Sequence, residues 1–213
     1  MGADVLRSRP SLTTATRRGE HRVRRRNPRA SSHGNHYLCP VRCKFTEQTP
    51  LTVFVATTTR IRNRSIQHTR YKFVTLNRKK FFGFPSKAIG THKVNISDAE
   101  KTLADALDRP EYCGGISEVA KALWNAKENA SFDKIVTYAT KMENSAILKR
   151  LGYLAERLDL GLKDSTLSRM THNLSPGTSP LDPRAPKRGS YLTRWNLLVN
   201  VPRKTLDEWK REF

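Results

Sequence analysis

Residues 94–126 read VNISDAEKTLADALDRPEYCGGISEVAKALWNA, and three elements follow from this stretch with little freedom. A short strand over residues 93–96 leads into a capped helix. Ser97 stands at the N-cap position, and Glu100 three residues on completes an S-x-x-E capping box, which satisfies two orphaned amides reciprocally. Asp98 and Glu100 add negative charge at the positive end of the helix dipole. Pro110 disfavours helical backbone at Arg109, so the helix ends near Asp108. Gly114-Gly115 supplies a turn, and Ile116, Val119, Ala120, Leu123 and Trp124 mark the apolar face of a second helix.

The first helix is two-sided. Ala99, Leu103, Ala106 and Leu107 form its apolar face, and Asp98, Lys101, Asp105 and Asp108 recur at helical spacing on the other. Periodicity alone fits two readings of that polar face. One is a solvated surface with an i,i+4 pair between Lys101 and Asp105; the other is a polar site.

On the N-terminal side, residues 51–56 (LTVFVA) are rich in β-branched and aromatic side chains and read as a strand, with Pro50 at its entry. Residues 71–76 (YKFVTL) form a second. Arg60, Arg62 and Arg64 in the connection between them, with Lys79 and Lys80 beyond, are placed to touch phosphates without reading sequence. Tyr71, Phe73 and Phe81 nearby fit either base stacking or the core beneath a sheet.

On the C-terminal side, Phe132, Ile135, Val136, Ala139 and Met142 make an apolar stripe behind a Ser131 cap. Asn144 caps a further helix, where Ile147, Leu151, Leu154 and Leu158 repeat. Residues 171–190 hold four prolines and two glycines and read as a long connection. A strand over residues 191–201 ends at Pro202, and a short helix follows with Thr205 and Glu208 as a capping box and Trp209 as its anchor.

The 213 residues carry a net charge of +21, unevenly. Residues 1–44 and 45–94 each carry +9, residues 95–170 carry −1, and residues 171–213 carry +4. Such asymmetry points to a polyanionic partner for the N-terminal half, or to a basic tail without a specific one. Three cysteines are too few for a disulfide framework. His33, His36, Cys39 and Cys43 stand at zinc-like spacing, but they crowd one short segment with no second pair, so no metal site is expected. No apolar run is long enough to cross a bilayer, and no signal-peptide core is visible. The expected setting is therefore cytoplasmic, without a membrane partner. Phosphate loops, H-E-x-x-H and G-x-S-x-G are missing from the sequence, which leads us to expect no enzymatic activity and no cofactor.

Several separated motifs together resemble the AbiEi family, antitoxins of bacterial type IV toxin–antitoxin systems. They are T-E-Q-T-P before the first strand, R-Y-x-F leading to K-F-F-G, and the run V-x-I-S-D-A-E-K-T-L-x-D-x-L-D-R-P-E-x-x-G-G-I-x-E-V-A-x-A-L. L-K-R-L-G-Y-L-x-E over residues 148–156 and R-W-N-L-L-V-N-V-P over residues 194–202 complete the set, which spans residues 45–213. The resemblance implies a C-terminal antitoxin domain whose signature includes Asp98, Glu100, Thr102, Asp105, Asp108, Arg109, Pro110, Gly114 and Gly115. It also implies antagonism of a nucleotidyltransferase-like toxin without a stable complex, and autorepression at promoter DNA repeats through a winged helix. Residues 1–44 lack the regular apolar spacing a winged helix needs. We read them as a basic arm from a shifted reading frame or misplaced start, with DNA-binding autorepression weakened.

The expectation is thus a mixed α/β domain over residues 45–213, a small sheet from the strands near residues 51, 71, 93 and 191 packed against a helical layer. A dispensable arm over residues 1–44 precedes it. The leading function is an antitoxin. The alternative is a basic nucleic-acid-binding regulator acting through the N-terminal half.

Overall fold

The computed structural model describes residues 37–39, 52–207 and 209. The chain divides into two units, Met1–His33 and Gly34–Phe213; the first lies outside the described residues, and the second carries the fold. The fold is mixed α/β, as its sequence implies. Its described helices are α1 (Ala99–Asp108), α2 (Ile116–Asn125), α3 (Phe132–Lys141), α4 (Ser145–Leu158), α5 (Asp164–His172) and α6 (Arg203–Asp207).

The core is helical. Leu103 and Leu107 of α1, Ile116, Val119 and Leu123 of α2, Ile135 and Val136 of α3, and Ile147, Leu151 and Leu154 of α4 are all buried in one cluster. These are the periodic apolar positions of the sequence, so amphipathic spacing alone locates the core. Ser131 and Asn144 cap α3 and α4 as expected, accepting from the amides of Lys134 and Ala146.

The strands distribute differently from expectation. Instead of one sheet, the described residues form three. The first has the order β1 (Tyr37–Cys39), β2 (Thr52–Thr57), β4 (Thr69–Thr75), β3 (Arg64–Ile66), with β2 and β4 parallel. The second is a hairpin of β5 (Ser86–Ile89) and β6 (His92–Asn95), so the strand near residue 93 pairs locally with its own neighbour. The third joins β7 (Ser179–Pro180), β9 (Leu197–Val199) and β8 (Ser190–Leu192). The expected strand over residues 191–201 is in fact a tight hairpin. A 3-10 turn over Thr193–Trp195 and Asn196 in the left-handed region (φ 46) fold Leu197 back onto Leu192. Asparagine tolerates that conformation better than most residues, which is how an unbroken apolar pattern conceals a reversal.

Three further expectations shift. The sheet takes in β1, which lies on the N-terminal side of the boundary at residue 45 and pairs antiparallel with β2. Of the zinc-like set, Cys39 falls in β1, while His33, His36 and Cys43 lie outside the described residues. Thr205 sits inside α6 rather than at its cap, and Glu208 is outside the described residues. Trp209 is the expected anchor, buried with its ring 6.0 Å from Trp124. No described helix is long and apolar enough to cross a membrane.

Candidate functional site

The polar face of α1 is not a solvated surface. Lys101 is fully buried, and the Asp105 and Asp108 side chains are 21% and 5% exposed. What covers them is the segment after β4. Gly83 adopts φ 77, and a Cβ there would come within 3.0 Å of the Lys101 stem, so only glycine lets the backbone lie this close. Phe82 and Phe84 on either side place ring faces 5.2 and 5.4 Å from the Lys101 ammonium. Lys101 thus meets two aromatic faces and the Asp105 carboxylate, one turn along its own helix.

At the N-terminal end of α1, the cap is Asp98 rather than Ser97. Asp98 Oδ1 accepts from the Lys101 amide at 2.7 Å, while Ser97 is taken up by a 2.7 Å hydroxyl contact with Thr102. The Asp98 amide donates to the Gly83 carbonyl at 3.0 Å, which fixes the covering segment to the helix start. Asp98 Oδ2 accepts from the Tyr138 hydroxyl at 2.8 Å and lies 3.2 Å from Lys134 Nζ.

Glu100 does not close a capping box on its own helix. It reaches α3, accepting from the Ser131 amide at 3.1 Å and from Lys134 Nζ at 3.0 Å. Burial pushes the Glu100 carboxyl up, but these two donors outweigh it and hold it below its usual value. Hydrogen bonds to Glu100 and Asp98 raise Lys134 above the ordinary lysine value. Burial, then the bond to Asp98, raises Tyr138.

At the other end, Asp108 accepts from Lys80 Nζ at 2.6 Å and from the Asn144 amide group. Arg150, buried in α4, donates to the Leu107 carbonyl at 2.6 Å and the Asp108 carbonyl at 3.2 Å, satisfying the end of α1. Burial raises the Asp105 carboxyl above its usual range, Lys101 opposes this, and Asp108 adds to it. A narrow cleft beside Asp105 and Asp108, walled by Phe54, Ala56 and Val74, holds about 50 Å³ for water-sized molecules. That is space for a few waters rather than an organic ligand.

The structure therefore brings together Asp98, Glu100, Thr102, Asp105 and Asp108 with Lys80, and leaves the other candidate residues apart. Arg109 is exposed beside the Tyr112 ring, Pro110 is buried, and Gly114 and Gly115 form the turn into α2 at φ 89 and 104. Lys79 is exposed and paired with Glu143 at 2.5 Å. Arg60, Arg62 and Arg64 are exposed on and before β3. Tyr71, Phe73 and Phe81 are half-buried. Sequence reasoning missed Lys134, Tyr138 and Arg150, whose roles depend on how α3 and α4 cross α1.

Each acid of this face meets a cation or a hydrogen-bond donor, so the arrangement clamps a loop, two helix starts and a helix end together. Among the described residues no group of His, Cys, Asp or Glu has metal-holding geometry. No family model, curated protein or solved structure matches the chain.

Proposed function

We propose that the chain carries the antitoxin domain of an AbiEi-like type IV system and counteracts a nucleotidyltransferase-like toxin in the cytoplasm without binding it stably. One observation supports this reading. Motifs that resemble the family in separate parts of the sequence meet in one place: Lys80 contacts Asp108, and the Gly83 carbonyl accepts from the Asp98 amide. A set of motifs that belongs to one domain is expected to converge in this way. Co-expressed with the toxin encoded beside it, the full chain is expected to restore growth, with the two proteins eluting separately on size exclusion. A folded chain that leaves growth arrested overturns the reading, and co-elution would exclude type IV behaviour.

Charge favours a second reading, a nucleic-acid-binding regulator contacting DNA through its basic β region. Residues 48–97 contain ten Lys and Arg and no Asp or Glu. Lys79 is paired with Glu143 in the turn between α3 and α4, and Lys80 with Asp108 at the end of α1, whereas Arg60, Arg62 and Arg64 remain exposed. If these three contact phosphates, duplex affinity falls steeply with salt. Replacing all three with Gln should then flatten the slope of log K against log salt by about 2.7, roughly 0.9 per lost contact. An unchanged slope removes them from the interface.

A further inference from the structure

At the mouth of the cleft beside α1, cations and rings form a continuous row on the first sheet. Lys72 Nζ lies 5.6 Å from the centre of the Phe54 ring, the Phe54 and Tyr112 rings are 5.5 Å apart, and the Arg109 guanidinium stands 5.8 Å from the centre of Tyr112. Backbone geometry fixes this row. Phe54 of β2 and Lys72 of β4 are direct partners in the parallel register, and Arg109 and Tyr112 bound the single 3-10 turn that follows α1. Strand alternation puts Arg70 on the same face as Lys72, about 6.6 Å further along β4. Phe54, Tyr112 and Lys72 are half-buried, while Arg70 and Arg109 are exposed. Neither ring belongs to the hydrophobic cluster of the helices. Arg70, Lys72 and Arg109 are in no ion pair among the described residues. The acids nearby are committed elsewhere. Asp105 pairs with Lys101 and Asp108 with Lys80, while Glu111 Oε2 is buried without a partner and the charge of that side chain acts on Arg150.

We propose that this face binds an unpaired stretch of RNA, with bases stacking on Tyr112 and Phe54 while Arg70, Lys72 and Arg109 hold the phosphates beside them. Base–ring stacking is tolerant of sequence, because every base has a flat face to offer, and neighbouring cations track the backbone. A duplex keeps those faces inside its own stack, so half-buried rings on a sheet meet only an unpaired base. RNA presents such bases routinely in its loops and ends. The cleft behind the row has room for a few waters, so the strand lies across the face rather than entering it. An acidic peptide would match the cations but leave the ring faces without a planar partner. The inference goes beyond both readings above, since it uses neither the α1 network nor Arg60, Arg62 and Arg64.

Fluorescence anisotropy of a labelled oligouridylate, which does not pair with itself, titrated with the full chain provides the test. Binding is expected. Tyr112→Leu should weaken it at least fivefold, whereas Tyr112→Phe, which keeps the ring, should stay within twofold of the parent. Lys72→Gln with Arg109→Gln should weaken it at least tenfold and flatten the slope of log K against log salt by about 1.4, roughly 0.7 per contact for a single strand. Arg60→Gln with Arg62→Gln removes the same charge elsewhere and should change affinity less than twofold. A DNA duplex should be indifferent to Tyr112→Leu, which separates this surface from the duplex contacts of the second reading. Should Tyr112→Leu unfold, Arg109→Gln alone, at an exposed position, still reads out the row through at least a threefold loss. The proposal is overturned if the oligouridylate does not bind, if folded Tyr112→Leu or Arg109→Gln binds it as tightly as the parent, if the two double charge variants lose equally, or if a duplex loses as much as the strand in Tyr112→Leu.

Discussion

Lys101→Met is expected to lower the stability of the folded protein by about 3 kcal/mol at neutral pH, measured by urea unfolding. Lys101 is wholly buried and its carboxylate partner nearly so, and breaking such a pair from one side leaves a charge without compensation. The expected cost sits at the low end of the usual range because Asp105 keeps some contact with solvent. Methionine fills much of the same space and contacts the Phe82 and Phe84 rings favourably, so lost packing is a minor part. Removing both charges, Lys101→Met with Asp105→Leu, should return stability to within about 1 kcal/mol of the parent, since an apolar pair of similar volume often replaces a buried ion pair without loss. A single variant as stable as the parent would mean the pair contributes nothing.

The deficit has a pH signature. Burial already raises the folded-state pKa of Asp105, with Lys101 the largest influence opposing it. A carboxyl with a raised folded pKa binds its proton more readily folded than unfolded. Its stabilising contribution is therefore complete below the ordinary value of 3.8 and is lost as pH rises through the folded pKa. Lys101→Met raises that pKa further, so the gap to the parent should be widest at neutral pH and close on acidification. Glu100 has the opposite sign. Its pKa is depressed, so its contribution is present above 4.5 and lost as pH falls through the folded value. Both chains carry Glu100, so it cancels from the difference.

Helix spacing made the core legible, because burial of an amphipathic stripe needs no knowledge of its partner. Leu103, Val119, Ile135 and Leu151 are buried where periodicity places them. The candidate site was legible as residues but not as an environment. Asp98, Lys101, Asp105 and Asp108 form one face in sequence, yet whether water or protein covers that face depends on a segment some twenty residues upstream. Gly83 between two phenylalanines was visible, but its approach to Lys101 is a tertiary fact. The cap moved by one residue for a similar reason: Ser97 and Asp98 are both good N-caps, and the Ser97–Thr102 contact decides between them. Strand partners were the least legible, since residues 86–95 and 190–199 each close locally through turns the apolar pattern does not mark.

Gly152→Ala should destabilise the protein by about 2 kcal/mol or more, although helix propensity alone favours alanine by about 1 kcal/mol. Gly152 lies inside α4, where glycine has no conformational purpose. Its purpose is space: a Cβ there would fall under 3.0 Å from three ring carbons of Trp195. That indole is fully buried, and its Nε1 donates to Glu156 Oε2 at 2.9 Å. Glu156 is also held by Arg194 at 2.7 Å. The ring therefore cannot slide away without breaking its own tether, and the C-terminal hairpin it anchors should lift from α4. Urea unfolding gives the loss, and a red shift of tryptophan emission reports the displaced ring. In a Trp195→Leu background the obstruction is gone, so the same substitution should become neutral or stabilising by up to about 1 kcal/mol. That inversion of sign separates a steric cause from any general weakness of α4. If Gly152→Ala is equally harmful in both backgrounds, Trp195 is not what the glycine accommodates.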